Sequence, residues 1–194
     1  MIDEAELRRF ERLALPHLDA AYNLARWLTR NDDDAQDVAQ EAMLRALRYF
    51  GAFRGDNVRP WLLQIVRNTC WDWLRENRPA EVTQLEDLDE GWAGRLEPSA
   101  PAADEPHVAA ARRDERNGLN RALAALPVHY REVLVLRELE DLSYRQIAAI
   151  TEVPVGTVMS RLARARSQLR QDLLREGRSP LRAVPRAANE SAKP

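Results

Sequence analysis

Four arginines, Arg161, Arg164, Arg166 and Arg170, fall in a stretch that holds no acidic residue from 153 to 171. Guanidinium groups at that density suit bidentate hydrogen bonds to guanine edges and charge-assisted contacts to phosphate. Their spacing puts them on a helix. Val155, Val158, Leu162, Ala165 and Leu169 share a stripe about 80° wide at ~100° per residue. Thr157, Ser160, Arg161, Arg164 and Gln168 take the opposite side. The residues before it, LSYRQIAAITEVP (142–154), read as a shorter helix capped by Ser143, with Ile147, Ala148 and Ile150 inward and a turn at 151–153. Short helix, turn and polar-faced helix are the layout of a helix-turn-helix, whose second helix enters a major groove. The plainer alternative is an amphipathic hairpin with a solvated arginine face. The lack of any acid to pair with those arginines argues against it.

A second group lies on a helix expected over 60–76. Leu62, Ile65, Val66, Thr69 and Trp73 make its core face; Gln64, Arg67, Asn68, Trp71 and Arg75 share the other, with Trp61 at the edge. Arginines interleaved with an exposed tryptophan suit single-stranded nucleic acid, where bases stack on rings and phosphates pair with cations. The alternative is that Trp71 packs on a neighbouring helix. A third group lies on a helix expected over 34–50. Ala35, Val38, Ala39, Ala42, Ala46 and Tyr49 face inward, and Asp37, Gln40, Glu41, Leu44 and Arg48 outward. A leucine ringed by directed polar groups is what a protein-binding patch requires, although periodicity alone also allows an ordinary solvated face.

Catalytic chemistry finds little footing. His17, His107 and His129 are scattered, Cys70 sits mid-helix with no nearby base, and no Gly-rich phosphate loop occurs. One cysteine excludes a disulfide framework and a multi-cysteine metal site. No enzyme activity, metal, cofactor or small-molecule substrate is expected.

The elements that must position these groups are helical. The chain has 194 residues, 29 basic and 31 acidic, and its charge is segregated. Residues 79–106 hold eight acids against Arg95 alone, together with four prolines, which is the composition of a flexible linker. The flanking stretches show helical periodicity and no strand signal. The expected fold is all-α: two small helical domains (1–78 and 107–178) joined by the acidic linker (79–106), the second a helix-turn-helix, then a frayed tail (179–194). Asp32 to Asp34 offer an N-cap and favourable dipole charge to the 34–50 helix, and Pro60 is placed to open the next. The apolar runs are too short to span a bilayer, and the acidic N-terminus lacks the build of a signal peptide, so a cytoplasmic protein without membrane insertion is expected. Arginine supplies every basic residue but Lys193, a bias that a GC-rich genome explains better than phosphate or interface contacts do.

In these residues and their order, the chain resembles bacterial RNA polymerase sigma factors of the extracytoplasmic-function class. ALPVHYREVLVLRELEDLSYRQIAAITEVPVGTVMSRLARARSQL (125–169) is similar to their C-terminal region four throughout. DDDAQDVAQEAMLRALRYF (32–50) resembles the polymerase-binding helix of region two. FRGDNVRPWLLQIVRNTCWDWLRENRP (53–79) resembles the segment that melts and reads the minus-ten promoter element. The matches cover about two-thirds of the chain, in the family's order. The resemblance implies that Asp37, Gln40, Glu41, Leu44 and Arg48 dock on core RNA polymerase. It implies that Phe53, Arg54, Trp61, Gln64, Arg67, Asn68, Trp71 and Arg75 take the opened minus-ten strand, with the Phe53–Asp56 loop capturing a flipped base. Arg145, Thr157, Met159, Ser160, Arg161, Arg164 and Gln168 would read the minus-thirty-five duplex. Met159 stands where many members carry a base, and Ala163 where others are larger. The resemblance further implies that the acidic linker threads the polymerase cleft, and that an anti-sigma factor holds the protein in check. A ligand-responsive regulator that binds operator DNA unaided is the competing reading.

Overall fold

The computed structural model describes residues 3–55, 57–83 and 110–175, with backbone alone at 83, 110–117 and 175. Every regular element among them is helical: α1 (Glu4–Ala14), α2 (Leu18–Thr29), α3 (Asp32–Tyr49), α4 (Val58–Asn77), α5 (Pro79–Thr83), α6 (Ala110–Ala125), α7 (Val128–Glu138), α8 (Tyr144–Thr151) and α9 (Val155–Arg175). The expected tail and all but the first residues of the expected linker lie outside the described residues.

Local chemistry sets the boundaries. Asp3 caps α1 by accepting the Glu6 N–H at 2.7 Å. Pro16 then forces a single 3-10 turn, Leu15–His17, before α2 resumes the apolar stripe. α2 ends on Arg30, whose left-handed φ of 59° turns the chain into α3. The α3 cap is Asn31, one residue ahead of the expected aspartates. Its Oδ1 accepts from the Asp33 and Asp34 amides at 2.8 and 3.0 Å, while Asp32–Asp34 fill the first turn, where the helix dipole favours negative charge. Likewise α4 starts two residues before Pro60, because Asn57 supplies the capping oxygen. Proline remains within the first turn, where its missing N–H costs nothing. Ser143 caps α8 as expected, in a reciprocal box with Gln146.

α1–α4 wrap a core of Phe10, Leu24, Leu28, Val38, Ala42, Phe50, Leu62 and Val66. Phe10, Phe50, Phe53 and Trp61 form an aromatic corner in it, with ring centroids 5.0–6.1 Å apart. α7–α9 close over Val133, Leu136, Ile147, Ile150, Val158, Leu162 and Ala165. The two cores are continuous, because α7 packs on α2 and α8 on α4. Tyr49, expected inward, is 58% exposed; Phe50, one position on, takes the buried place beside Phe10. α5 departs from the expected linker. Glu81 within it pairs with Arg30 and sits 3.6 Å from Arg78 and 3.8 Å from Arg131. Three cations hold the start of that acidic stretch against the folded body.

Candidate nucleic-acid interface

On α9 the outward side is narrower than the helical wheel suggests. Met159 is 53% exposed, Ser160 is exposed, and the Ser160 hydroxyl donates to the Thr157 carbonyl at 2.9 Å. Thr157, Arg164 and Gln168 are half-buried, and Arg145 on α8 is exposed. Arg161, expected on the groove side, is only 7% exposed. The angular reason is plain. Arg161 lies about 60° from Val158 and about 40° from Ala165, beside the buried stripe, whereas Arg164 lies about 120° from Val158. Arg166 is tied to α7, its Nη2 donating to Glu138 at 2.6 Å.

The α3 residues expected to face outward do so. Asp37, Gln40, Glu41, Leu44 and Arg48 are all exposed, Leu44 by 58%. Arg45 donates to Glu41 and to Asp72 of α4, each at 2.8 Å, so the patch is braced from beneath.

The minus-ten group departs most from expectation. Trp71, expected exposed, is 5% exposed, and its indole N–H donates to Oε1 of Glu132 on α7 at 2.8 Å. Arg67 donates to the same oxygen at 2.7 Å, and its guanidinium lies over the Trp71 ring at 5.0 Å. Asn68 accepts from Arg67 at 3.1 Å. Gln64 donates to the Ala149 carbonyl and to Glu152 at 3.4 and 3.3 Å. Periodicity separates the core face of α4 from its other face, but it carries no word of a second helical layer, and α7–α8 supply that layer. Phe53, expected in an open loop, is 6% exposed within the aromatic corner, and Trp61 is half-buried against it. Arg54 and Arg75 remain exposed, Arg75 paired with Asp72 at 2.8 Å. Asp56 lies outside the described residues.

Sequence reasoning missed Arg131 and Glu132, both fully buried. Arg131 donates to the carbonyls of Ala124 (2.8 Å), Leu126 (3.0 Å) and Leu28 of α2 (3.4 Å). Burial, and then the nearby Arg30 charge, lower its pKa to about 10, so it stays charged at neutral pH. Local periodicity gives no signal for them: α7 buries Val128 through Leu136 without a break, polar His129, Arg131 and Glu132 included, because other helices cover it on all sides. Cys70 is fully buried, and burial, then Glu132, push its thiol pKa up, which removes it as a nucleophile. Among the described residues no cluster of potential metal ligands occurs, and no helix is long and apolar enough to cross a membrane.

The described residues thus hold a capped helix-turn-helix with a polar outer face, preceded by a helical unit with a braced, exposed acidic-and-leucine patch. Residues 13–79 match the family model for sigma-70 region 2, and residues 116–169 match that for sigma-70 region 4. The chain is 34% identical to the RNA polymerase sigma-H factor of Pseudomonas aeruginosa, over 90% of this chain and 93% of that one. It is 36% identical to the ECF RNA polymerase sigma factor SigM of Mycobacterium tuberculosis, over 82% of this chain and 74% of that one. Against SigE of Mycolicibacterium smegmatis it is 34% identical and spans 64% of that relative's length. Among solved structures, the sigma factor RpoE in complex with the anti-sigma factor NepR from Bartonella quintana superposes with a TM-score of 0.64 at 27% identity. That match covers 86% of this chain and 98% of that one. CnrH in complex with the cytosolic domain of CnrY gives a TM-score of 0.61 at 25% identity, over 89% and 91%. The chain belongs to the extracytoplasmic-function class of RNA polymerase sigma factors, the proteins of transcription initiation.

Proposed function

We propose that this sigma factor docks on core RNA polymerase through Asp37, Gln40, Glu41, Leu44 and Arg48 of α3 and reads a bipartite promoter with its two helical halves. Residues 1–78 act as region two, 107–178 as region four, and the acidic segment between them as the connector. In α9, Ser160 and Arg164, with Thr157, Met159 and Gln168 around them, meet base edges of the minus-thirty-five duplex. Arg145 and the positive N-terminus of the helix meet phosphate. α4 and the loop before it take the minus-ten element as opened strand, through Arg54, Trp61, Gln64, Arg67, Asn68, Trp71 and Arg75, with Phe53 at the loop's base. The observation that carries this reading is the Leu44 patch, an exposed apolar anchor inside a polar ring on the same chain as a helix-turn-helix. A DNA-binding regulator needs only the second of these.

An anti-sigma factor is the proposed inhibitor, since RpoE, a sigma factor of similar fold, was solved with the anti-sigma factor NepR bound. The protein acts in the cytoplasm, where polymerase is, as an initiation factor without catalytic activity of its own. Duplex promoter fragments selected from genomic DNA, titrated with the chain alone and with chain plus core polymerase, test the proposal. Sequence-specific binding is expected only when core enzyme is present. Tight, specific binding by the chain alone would instead make it a stand-alone operator-binding regulator.

A further inference from the structure

The groups of α4 that should hold a DNA strand are already occupied. One oxygen of Glu132 accepts from both the Arg67 guanidinium and the Trp71 indole, the donors that a phosphate or a base carbonyl would use. Beside this pair, Glu140 accepts from Arg59 of α4 at 2.5 Å and from Asn23 of α2 at 2.9 Å. Arg59 also donates to the Glu140 carbonyl at 2.8 Å. At the far end Gln64 reaches Ala149 and Glu152 of α8. Every acceptor here comes from the region-four half and every donor from the region-two half.

We infer that Glu132 and Glu140 form an internal latch that fills the strand-binding face of α4 and keeps the free chain closed to single-stranded DNA. The inference rests on the reading of α4 as the minus-ten face. Its physical logic lies in how buried charge behaves. The Glu132 and Glu140 side chains are 0% and 5% exposed, and their partners Arg67 and Arg59 are 15% and 30% exposed. A buried carboxylate is tolerated only while it is paired, and the second oxygen of Glu132 has no hydrogen-bond partner. Parting the two halves returns all of these charges to water together. The polar contact is therefore specific when made, and rehydration of its charges offsets part of the cost of parting the apolar α2–α7 and α4–α8 contacts that surround it. Opening follows when a partner binds the parted state better than the closed one, as a protein that engages the two halves at separate places must.

The test uses the full chain. Probes at exposed Gln36 on α3 and Gln171 on α9, introduced as Gln36→Cys and Gln171→Cys, report the separation of the halves by pulsed EPR; Cys70 is buried and unreactive. Fluorescein-labelled oligothymidylate reports strand binding. Glu132→Gln with Glu140→Gln should lengthen the distance distribution. It should also tighten oligothymidylate binding about tenfold, the change expected when a binding-competent state rises from roughly a tenth to most of the population. Adding Trp71→Ala should abolish that gain. If the double variant loses helicity by circular dichroism, Glu140→Gln alone decides, with a smaller rise in the same direction. An unchanged distance distribution, or opening without tighter strand binding, overturns the latch. Transcription with core polymerase by the same proteins separates the two readings. A double variant that initiates normally but shows no gain removes the latch and leaves the proposed function standing. A wild-type chain that never initiates removes the proposed function itself.

Discussion

At the residue scale, Arg161 and Arg164 show how three residues along one helix can separate two roles. Arg161 sits against the buried stripe of α9 and is 7% exposed, while Arg164 is half-buried nearer the polar side. Arg161→Ala should therefore destabilise the second half by about 1–3 kcal/mol in urea unfolding, through lost packing and buried polar contacts. Arg164→Ala should leave stability nearly unchanged. In transcription from a randomised minus-thirty-five library it should relax preference at one or two positions, at ~1–3 kcal/mol of discrimination. A library logo unaltered by Arg164→Ala would move readout to Ser160, Met159 or groove shape. The wheel made the arginine-rich side legible, yet it placed Arg161 outward, because a stripe drawn from apolar residues alone leaves out the aliphatic stem that arginine lays along a core. Trp71 was misplaced for a different reason. Its burial depends on Glu132, sixty-one positions away, and no local pattern contains that partner.

At the scale of elements, the boundaries follow from capping side chains, and they were largely visible in advance. Ser143 with Gln146 is a capping pair that any reader of LSYRQ finds, and Ser143→Ala should cost about 1 kcal/mol of stability, measurable by thermal unfolding. The cap matters most in a short helix, and α8 has eight residues. Asn31 and Asn57 show the limit of that legibility. Asn31 stands one residue ahead of Asp32 and Asn57 three ahead of Pro60, and in each case the earlier side chain wins because it reaches the amides that need an acceptor. α5 was hidden by composition. An acidic, proline-bearing stretch reads as linker until Arg30, Arg78 and Arg131 are seen to converge on Glu81. The α3 patch makes the clearest functional prediction at this scale. Leu44→Asp places a charge in the middle of a protein-binding surface while touching nothing in the core, so helicity and stability should hold within ~0.5 kcal/mol. Co-purification with core polymerase should be lost. Normal co-purification of that variant would remove α3 as the docking surface.

At the scale of the whole molecule, the sequence shows two helical blocks with an acidic span between them, and their periodicity leads to two separate cores. The structure joins those cores through α2 with α7 and α4 with α8. What sequence alone leaves out is the contact between blocks, since each amphipathic stripe accounts for only one partner. α7 makes that contact: it is buried on every side between Val128 and Leu136, and it carries Arg131 and Glu132 in its middle. The most direct test of sigma activity is run-off transcription by purified core polymerase from a genomic promoter library, with and without this chain. A discrete set of new start sites should appear that depends on the chain and vanishes with Leu44→Asp. No new start sites with the wild-type chain, under conditions where a known sigma factor supports initiation by the same core preparation, would contradict that activity.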